Sequence, residues 1–300
     1  MIKLSQTKNS NFSLRSKLAS HPKIKSILKP LSRYYFSITG PIHLLPNYLI
    51  IGAAKSGTSS LYEYLIQHPN VQPASGKEIY FFDMNYNKGI NWYRTFFPLS
   101  HQFPKNTLKN SIVGEATPRY MDHPHAPSRI KKYLPNCKFI ILLRNPIDRA
   151  YSHWNMMVSH NREELSFEDA IDKEKKRTNG LFEKMEKDSS FYSKEYYWYS
   201  YLERGLYSKK IKKWFEIFPK NQFLILKSED LFSKPSEIFH QTQDFLNIPE
   251  ITLDEFKTAR KGAYKNKSID SNTRKYLSDF FKPYNEELYS LIGKNFAWEE

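Results

Sequence analysis

The hydrophobic positions of this chain fall into short continuous runs separated by longer segments with helical periodicity. Three apolar runs of four to six residues occur at 48–53, 139–143 and 223–226. Continuous runs of this length are typical of strands that are buried on both faces of a sheet. The sequence therefore predicts at least three central strands.

Apolar residues spaced three and four apart predict helices between these strands and after them. The predicted helices cover 59–67, 146–159, 167–176, 196–218, 236–246 and 272–292. Alternating buried strands and helices indicate an α/β domain with a parallel sheet, and they place the ligand site at the carboxyl ends of the strands. Because we find no internal repeat or clear linker, we expect one domain, 47–300. Its Lys- and Glu-rich segment 159–193 is predicted to be a solvated helical insertion.

The N-terminal segment 1–46 has a different composition from the rest of the chain. Residues 1–47 contain eight Lys or Arg and no acidic residue, and several prolines interrupt them. No apolar run followed by a small-residue cleavage site is present, which argues against a secretory signal. We expect a flexible basic extension and a cytoplasmic protein; an arm with weak affinity for a membrane surface or a partner is the alternative.

Charge and cysteine content narrow the function classes. The single cysteine, Cys137, excludes an internal disulfide and a thiolate metal cluster. No window reaches the ~18 apolar residues of a membrane-spanning helix. Residues 1–47 carry +8 of the net charge of +15, and the remaining +7 favours an anionic ligand without requiring nucleic acid.

The loop after the first strand is the first candidate for chemistry. It contains Lys55, Gly57, Thr58 and Ser59, and a predicted helix follows it directly. Backbone N–H groups at a helix start bind anions, glycine permits close approach, and the lysine and hydroxyls add donors. We interpret the loop as an oxyanion cradle, with a small-residue turn and a solvated lysine as the alternative.

This loop differs from the nucleotide-binding GxxxxGK[ST] motif, since Lys55 precedes Gly57 by two positions. Moreover, the strand at 139–143 ends in Arg144, where a magnesium-dependent NTPase would usually have an aspartate. A cation at that position binds an anion directly, so we expect no metal. A P-loop-class kinase or NTPase stays an alternative, as does a basic protein that binds nucleic acid or a membrane surface.

Arg144 begins a second candidate anion site. Asn145 is the expected N-cap and Pro146 the first residue of the next helix. Ser152 then lies about 9 Å further along the axis, at ~1.5 Å per residue. Arg144 and Ser152 are predicted to bind a second phosphate remote from the first cradle. The alternative is that Arg144 pairs with an acid at the sheet edge.

Together these segments resemble the two donor-binding signatures of sulfotransferases that use 3′-phosphoadenylyl sulfate (PAPS). The matching stretches are KSGTS at 55–59 and RNPIDRAYS at 144–152, and the likeness is greatest to the heparan sulfate N- and O-sulfotransferase branch. Further matches occur at 77–83 (KEIYFFD), 114–120 (GEATPRY), 205–207 (GLY) ahead of Trp214, and 261–262. The resemblance spans about 48–292 and implies the sulfotransferase fold, a P-loop-like central parallel sheet flanked by helices.

The resemblance also implies roles for individual residues. PAPS is the implied sulfuryl donor, and no metal is required. The residues implied to bind it are Lys55, Ser56, Gly57, Thr58 and Ser59 at the 5′-phosphosulfate, Arg144 and Ser152 at the 3′-phosphate, and Lys261, Gly262 and Tyr264 in a late loop that closes over the donor.

Sulfuryl transfer depends mainly on positioning and on charge stabilisation. We expect Lys55 to neutralise charge on the oxygen that bridges sulfur and phosphate. Glu78 is the expected general base, which takes the proton from an acceptor hydroxyl or amine; a surface ion pair is its alternative interpretation. The predicted activity is sulfation of a carbohydrate or another hydroxyl-bearing acceptor, with no nucleic acid partner, and the oligomeric state stays open.

Two departures from the family pattern concern the acceptor. Tyr80 stands where the branch often has histidine, and Ala116 where it often has lysine. These replacements favour an acceptor other than polyanionic heparan sulfate, or a different way of orienting it. The aromatic cluster within 191–201 would either stack on sugar rings or pack a helix against the sheet, and we favour packing.

Overall fold

Five parallel strands form the centre of the fold. They are β1 (Tyr48–Gly52), β2 (Val71–Pro73), β3 (Ile112–Ala116), β4 (Lys138–Leu143) and β5 (Phe223–Lys227), in the spatial order β2-β3-β1-β4-β5. The structure is a computed structural model and describes residues 35–100, 111–257 and 268–298. Tyr48 of β1 lies opposite Gly114 of β3 and Lys138 of β4, so β1 is the middle strand.

Helices cover both faces of this sheet. In chain order they are α1 (Thr58–Leu65), α2 (Ile90–Arg94), α3 (Ala126–Tyr133), α4 (Pro146–Ser159), α5 (Phe167–Asp172), α6 (Glu174–Thr178), α7 (Leu181–Lys187), α8 (Lys194–Tyr199), α9 (Tyr207–Phe215), α10 (Ser228–Ser233), α11 (Pro235–Leu246) and α12 (Ser271–Ile292). Short 3-10 turns cover Gly40–Ile42, Tyr86–Lys88, Tyr120–Asp122, Glu203–Gly205 and Lys220–Gln222. No helix in these described ranges has the length and apolar content needed to cross a membrane.

The side chains of β1 alternate between two cores. Leu49 and Ile51 pack in one hydrophobic cluster with residues of α3, α9 and α12. Tyr48 and Ile50 pack in a second cluster with residues of α1 and α11. Every residue of β1 is buried, as expected for a parallel strand between two helical layers. The predicted α/β fold class is therefore confirmed.

The sequence did not predict β2 and β3. Strand β2 has only three residues, and β3 includes both Gly114 and Glu115, which are uncommon inside strands. A Cβ atom at position 114 would lie 2.3 Å from the Tyr48 ring, so the glycine lets the two strands pack. The buried Glu115 carboxylate accepts hydrogen bonds from hydroxyl groups, which makes its place in the sheet stable.

Two predicted helices are wrong in extent. The range 196–218 is not one helix: it contains most of α8, the 3-10 turn Glu203–Gly205 and α9. Gly205 lies in that turn, where a Cβ would lie 2.9 Å from the Phe281 ring. The range 167–176 divides into α5 and α6 at Lys173. The insertion is also less solvated than predicted, since Phe167 and Met185 are fully or almost fully buried. The helix predicted at 146–159 is confirmed as α4.

Glu174, at the start of α6, connects the insertion to the chain that leads into α9. Its carboxylate accepts hydrogen bonds from the N–H groups of Leu202 and Glu203, at 2.7 and 2.9 Å. Burial raises the pKa of Glu174 from 4.5 to about 7, although those two hydrogen bonds act in the opposite direction. The ionised carboxylate therefore destabilises the fold above about pH 7, and this effect disappears as the pH falls towards 4.5.

We therefore expect Glu174→Gln to flatten the pH dependence of stability. At about 1.4 kcal/mol per pH unit, Glu174 should make the wild-type free energy of unfolding higher at pH 5 than at pH 8 by up to about 3 kcal/mol. Urea unfolding at both pH values measures this difference. Glu164→Gln, an exposed glutamate of the same insertion, is the control and should keep the wild-type pH dependence. Equal pH dependence in the wild type and in Glu174→Gln would contradict the prediction.

Candidate active site

A cavity of about 360 Å³ lies at the carboxyl ends of β1 and β4. Adjacent parallel strands end at the same edge of a sheet, and ligand sites of open α/β sheets form there. The structure brings most of the predicted site residues together in this cavity. Those that line it are Lys55, Gly57, Thr58, Ser59, Glu78, Arg144 and Ser152.

The β1–α1 loop forms one wall of the cavity. Lys55 and Gly57 have φ angles of 76° and 87°, in the left-handed region, and Gly57 is the N-cap of α1. The first N–H groups of a helix have no acceptor within the helix, and the helix dipole places partial positive charge there. With the hydroxyls of Thr58 and Ser59, this wall can bind an anionic group.

Ser56 is the one predicted residue of this loop that does not line the cavity. Its side chain is fully buried. Its N–H donates to the carbonyl of Ala53 at 3.2 Å, and its own carbonyl accepts from the Ser228 hydroxyl at 2.9 Å. Ser56 therefore holds the shape of the loop, and its predicted contact with a donor has no support in this geometry.

The β4–α4 junction forms the neighbouring wall. As predicted, Asn145 caps α4, with its side-chain oxygen accepting from the N–H of Ile147 at 3.0 Å, and Pro146 is the first helical residue. Tyr207 fixes the start of this junction, because its hydroxyl donates to the carbonyl of Arg144 at 2.9 Å. Glu229 fixes the next residue by accepting from the Asn145 N–H at 2.8 Å.

Arg144 and Lys55 share this one cavity. Arg144 Nη1 lies 3.4 Å from the carbonyl oxygen of Lys55, and Ser152, two turns into α4, lines the same space. The alternative, an ion pair between Arg144 and an acid at the sheet edge, is not among the contacts of Arg144 in the described part of the chain. The two cations can therefore act on different anionic groups of one ligand.

Glu78 approaches the cavity from a loop in which the backbone takes an uncommon conformation. Glu78 and Tyr80 have φ angles of 56° and 55°, which cost free energy for residues other than glycine. The Tyr80 hydroxyl donates a hydrogen bond to Glu78 Oε2. Burial, and then the nearby Glu78 carboxylate, raise the pKa of Tyr80, so the phenol keeps the proton that it donates.

A buried network attaches this loop to the sheet. The Phe81 N–H donates to the Tyr120 hydroxyl at 2.9 Å, and that hydroxyl donates to Glu115 at 3.0 Å. Tyr93 also donates to Glu115, at 2.7 Å. Glu115 and Ala116 are fully buried, and neither lines the cavity. The segment around Glu115 therefore supports the Glu78 loop from beneath.

Arg119 lines the cavity and was not among the predicted site residues. Its guanidinium lies 4.5 Å from the centre of the Tyr80 ring and 4.7 Å from that of Tyr197, and it donates to the Tyr192 hydroxyl. Asp83 Oδ2 is 3.9 Å from its Nε. Burial raises the pKa of Asp83 to about 6, with Arg119 opposing the shift, so this carboxylate is ionised at neutral pH.

Lys261, Gly262 and Tyr264 lie outside the described residues. Their assignment to the donor stays a prediction.

A family model described as sulfotransferase domain matches residues 45–284. Mouse heparan sulfate glucosamine 3-O-sulfotransferase 3B1 is 32% identical over 277 residues, which cover 85% of this chain and 65% of that protein. The membrane-associated sulfotransferase kil1 of Dictyostelium discoideum is 27% identical over 343 residues, covering 92% of this chain and 71% of that protein.

A solved structure agrees with the fold. The sulfotransferase from Alicyclobacillus acidocaldarius superposes with a TM-score of 0.63 at 28% identity, covering 86% of this chain and 100% of that one. The chain spans slightly less than two thirds of the mouse relative's length.

Proposed function

The chain belongs to the sulfotransferase family, and from this premise we propose that it transfers a sulfuryl group from PAPS to a hydroxyl or amine of a carbohydrate acceptor. The observation that carries the proposal is that Lys55, Arg144 and Glu78 line one cavity. Relatives named as heparan sulfate glucosamine 3-O-sulfotransferases support the choice of a carbohydrate.

The residues present suit this donor. PAPS carries anionic groups at both ends of an adenosine, and the cavity offers a cation with hydroxyls at each of two walls. Lys55, Thr58 and Ser59 would hold the 5′ end, and Arg144 with Ser152 the 3′-phosphate. A volume of about 360 Å³ lies in the ordinary range of small-molecule sites. When bound, PAPS supplies an activated sulfuryl group.

Two charged side chains of the cavity would carry out the proton transfer and the stabilisation of the leaving group. Glu78 would take the proton that the acceptor oxygen or nitrogen loses as it bonds to sulfur. Lys55 would balance the charge that the departing phosphate oxygen gains as its bond to sulfur breaks. The hydrogen bond from Tyr80 orients the Glu78 carboxylate for this role.

Donor binding gives a direct test. We expect adenosine 3′,5′-bisphosphate (PAP) to bind without added metal, and Arg144→Ala to weaken this binding about 10- to 100-fold. The loss corresponds to charge-assisted hydrogen bonds worth about 1.5–3 kcal/mol. Isothermal titration calorimetry with EDTA present measures it. Arg162→Ala is the matched control, because Arg162 lines the cavity away from the two donor walls and should leave PAP affinity unchanged.

Other outcomes of this titration contradict the proposal. Binding of ATP that requires magnesium, with no response to PAP, would indicate a nucleotide kinase or NTPase. Equal losses in Arg144→Ala and Arg162→Ala would show that overall charge, and not the Arg144 site, attracts the nucleotide.

A further inference from the structure

The cavity has two parts with different chemistry. We call the part formed by Ala54, Lys55, 57–60, Arg144 and Ser152 the donor half, and the rest of its lining the acceptor half. Met156 marks the boundary, because its sulfur lies 3.6 Å from Lys55 Nζ. Beyond it, the acceptor half contains the rings of Tyr80, Tyr197 and Trp198 and the thioethers of Met156 and Met157.

The two inner arginines of the acceptor half are already neutralised by buried acids. Arg204 contacts Asp122 Oδ2 through both Nε and Nη2, each at 2.8 Å, and the carboxylate is 3% exposed. Arg119 faces the buried carboxylate of Asp83, and its flat faces rest on Tyr80 and Tyr197. Both guanidinium groups therefore form ion pairs and ring contacts that stabilise the wall.

Little net charge remains for a ligand at this wall. Arg162 is exposed and stacks on Trp198, 4.7 Å from the ring centre. Glu78, which lines the same cavity, carries the opposite formal charge. Burial, followed by the nearby basic side chains, lowers the pKa of His153 well below its usual value, so this imidazole is neutral. Histidines are counted as neutral here. Among the described residues of this half, the positive charges of Arg119, Arg162 and Arg204 are then equal in number to the negative charges of Glu78 and the two buried acids, so the formal charges cancel.

We propose that the acceptor half binds an uncharged sugar ring, stacked on Trp198, and does not recognise a polyanionic chain. This inference rests on the proposed function and names its acceptor class. The apolar face of a pyranose can pack on an aromatic ring, as apolar area generally does. A sulfated or carboxylated chain would lose hydration on entering and would meet no net positive charge among the described residues of this wall.

The first arm of the test compares acceptors. PAP formation from PAPS is followed with neutral oligosaccharides (cello-, malto-, chito- and galacto-oligosaccharides) and with heparan sulfate and chondroitin fragments, at 50 and 300 mM NaCl. We expect saturable transfer to at least one neutral series with a KM that changes less than twofold with salt. Binding of a polyanion through free cations would instead weaken steeply as salt screens it. Transfer to polyanions alone, to phenols alone or to no neutral sugar overturns the proposal.

The second arm tests the stacking residue. We expect Trp198→Ala to raise the KM for the neutral acceptor about tenfold, with Trp198→Phe restoring most of the affinity. Tyr199→Ala is the matched control, since Tyr199 follows on the same helix and does not line the cavity; its KM should stay within twofold of wild type. Equal KM values for Trp198→Ala and wild type overturn the proposal.

PAP affinity is measured for every variant and separates the two proposals. Unchanged PAP binding with an altered acceptor KM locates the defect in the acceptor half. If the wild-type protein did not bind PAP, the proposed function itself would be overturned, and this inference with it.

Discussion

Glu78→Gln is expected to lower kcat by about 100- to 10,000-fold while the Kd for PAP stays at the wild-type value. A positioned general base contributes about that factor, and a glutamine side chain of the same shape cannot accept the proton. Donor binding should survive because the donor half contains other residues, with Lys55 and Arg144 as its cations. The measurement is single-turnover transfer from radiolabelled PAPS to a glycan acceptor, beside PAP calorimetry.

The local geometry makes this substitution a clean one. Glutamine keeps the Cβ that Glu78 already carries at its positive φ, so the backbone meets no new strain. Its side-chain oxygen can still accept from the Tyr80 hydroxyl. Glu63→Gln, on α1 and outside the cavity lining, is the matched control and should retain wild-type kcat. If the Glu78→Gln variant had wild-type turnover, a residue other than Glu78 would have to be the general base.

The donor half was largely predictable from sequence because its residues directly follow strands. Lys55 and Arg144 each come within three residues of a continuous apolar run, and short runs of this kind with turn residues beside them are typical of buried strands. Parallel strands then bring their carboxyl ends together without further information. The cap at Asn145 could also be predicted, since Asn-Pro at a helix start has a local physical cause.

The acceptor half was not predictable in the same way. Arg119 follows β3, and β3 could not be predicted from a continuous apolar run because Gly114 and Glu115 interrupt it. The role of Arg119 depends on contacts that only the fold creates. Asp83 Oδ2 lies 3.9 Å from Arg119 Nε, and the Tyr197 ring packs against the guanidinium. Tyr197 was expected to pack a helix against the sheet; it is buried in α8 and also lines the cavity. Contacts between segments that are distant in sequence determine which side chains form this wall.

Lys55→Ala is expected to lower kcat about 100- to 1000-fold, equivalent to roughly 2.7–4 kcal/mol of transition-state stabilisation, if Lys55 acts as one preorganised donor to developing charge. Because the charge on the bridging oxygen grows only as its bond to sulfur breaks, the loss should fall mainly on kcat. Single-turnover kinetics with saturating PAPS measures it.

The choice of alanine at this position follows from the backbone. Lys55 has a φ of 76°, so glycine would relax the loop and alter its shape together with its charge, whereas alanine keeps the Cβ and isolates the loss of the amine. Met156, which contacts the Lys55 amine from α4, supplies the control: Met156→Leu keeps an apolar side chain of similar volume at that spot and should hold kcat within about tenfold of wild type. If Lys55→Ala retained kcat within tenfold while Arg144→Ala lost PAP binding, the donor would be bound as proposed, and its leaving group would be stabilised by the α1 N-terminus without the lysine.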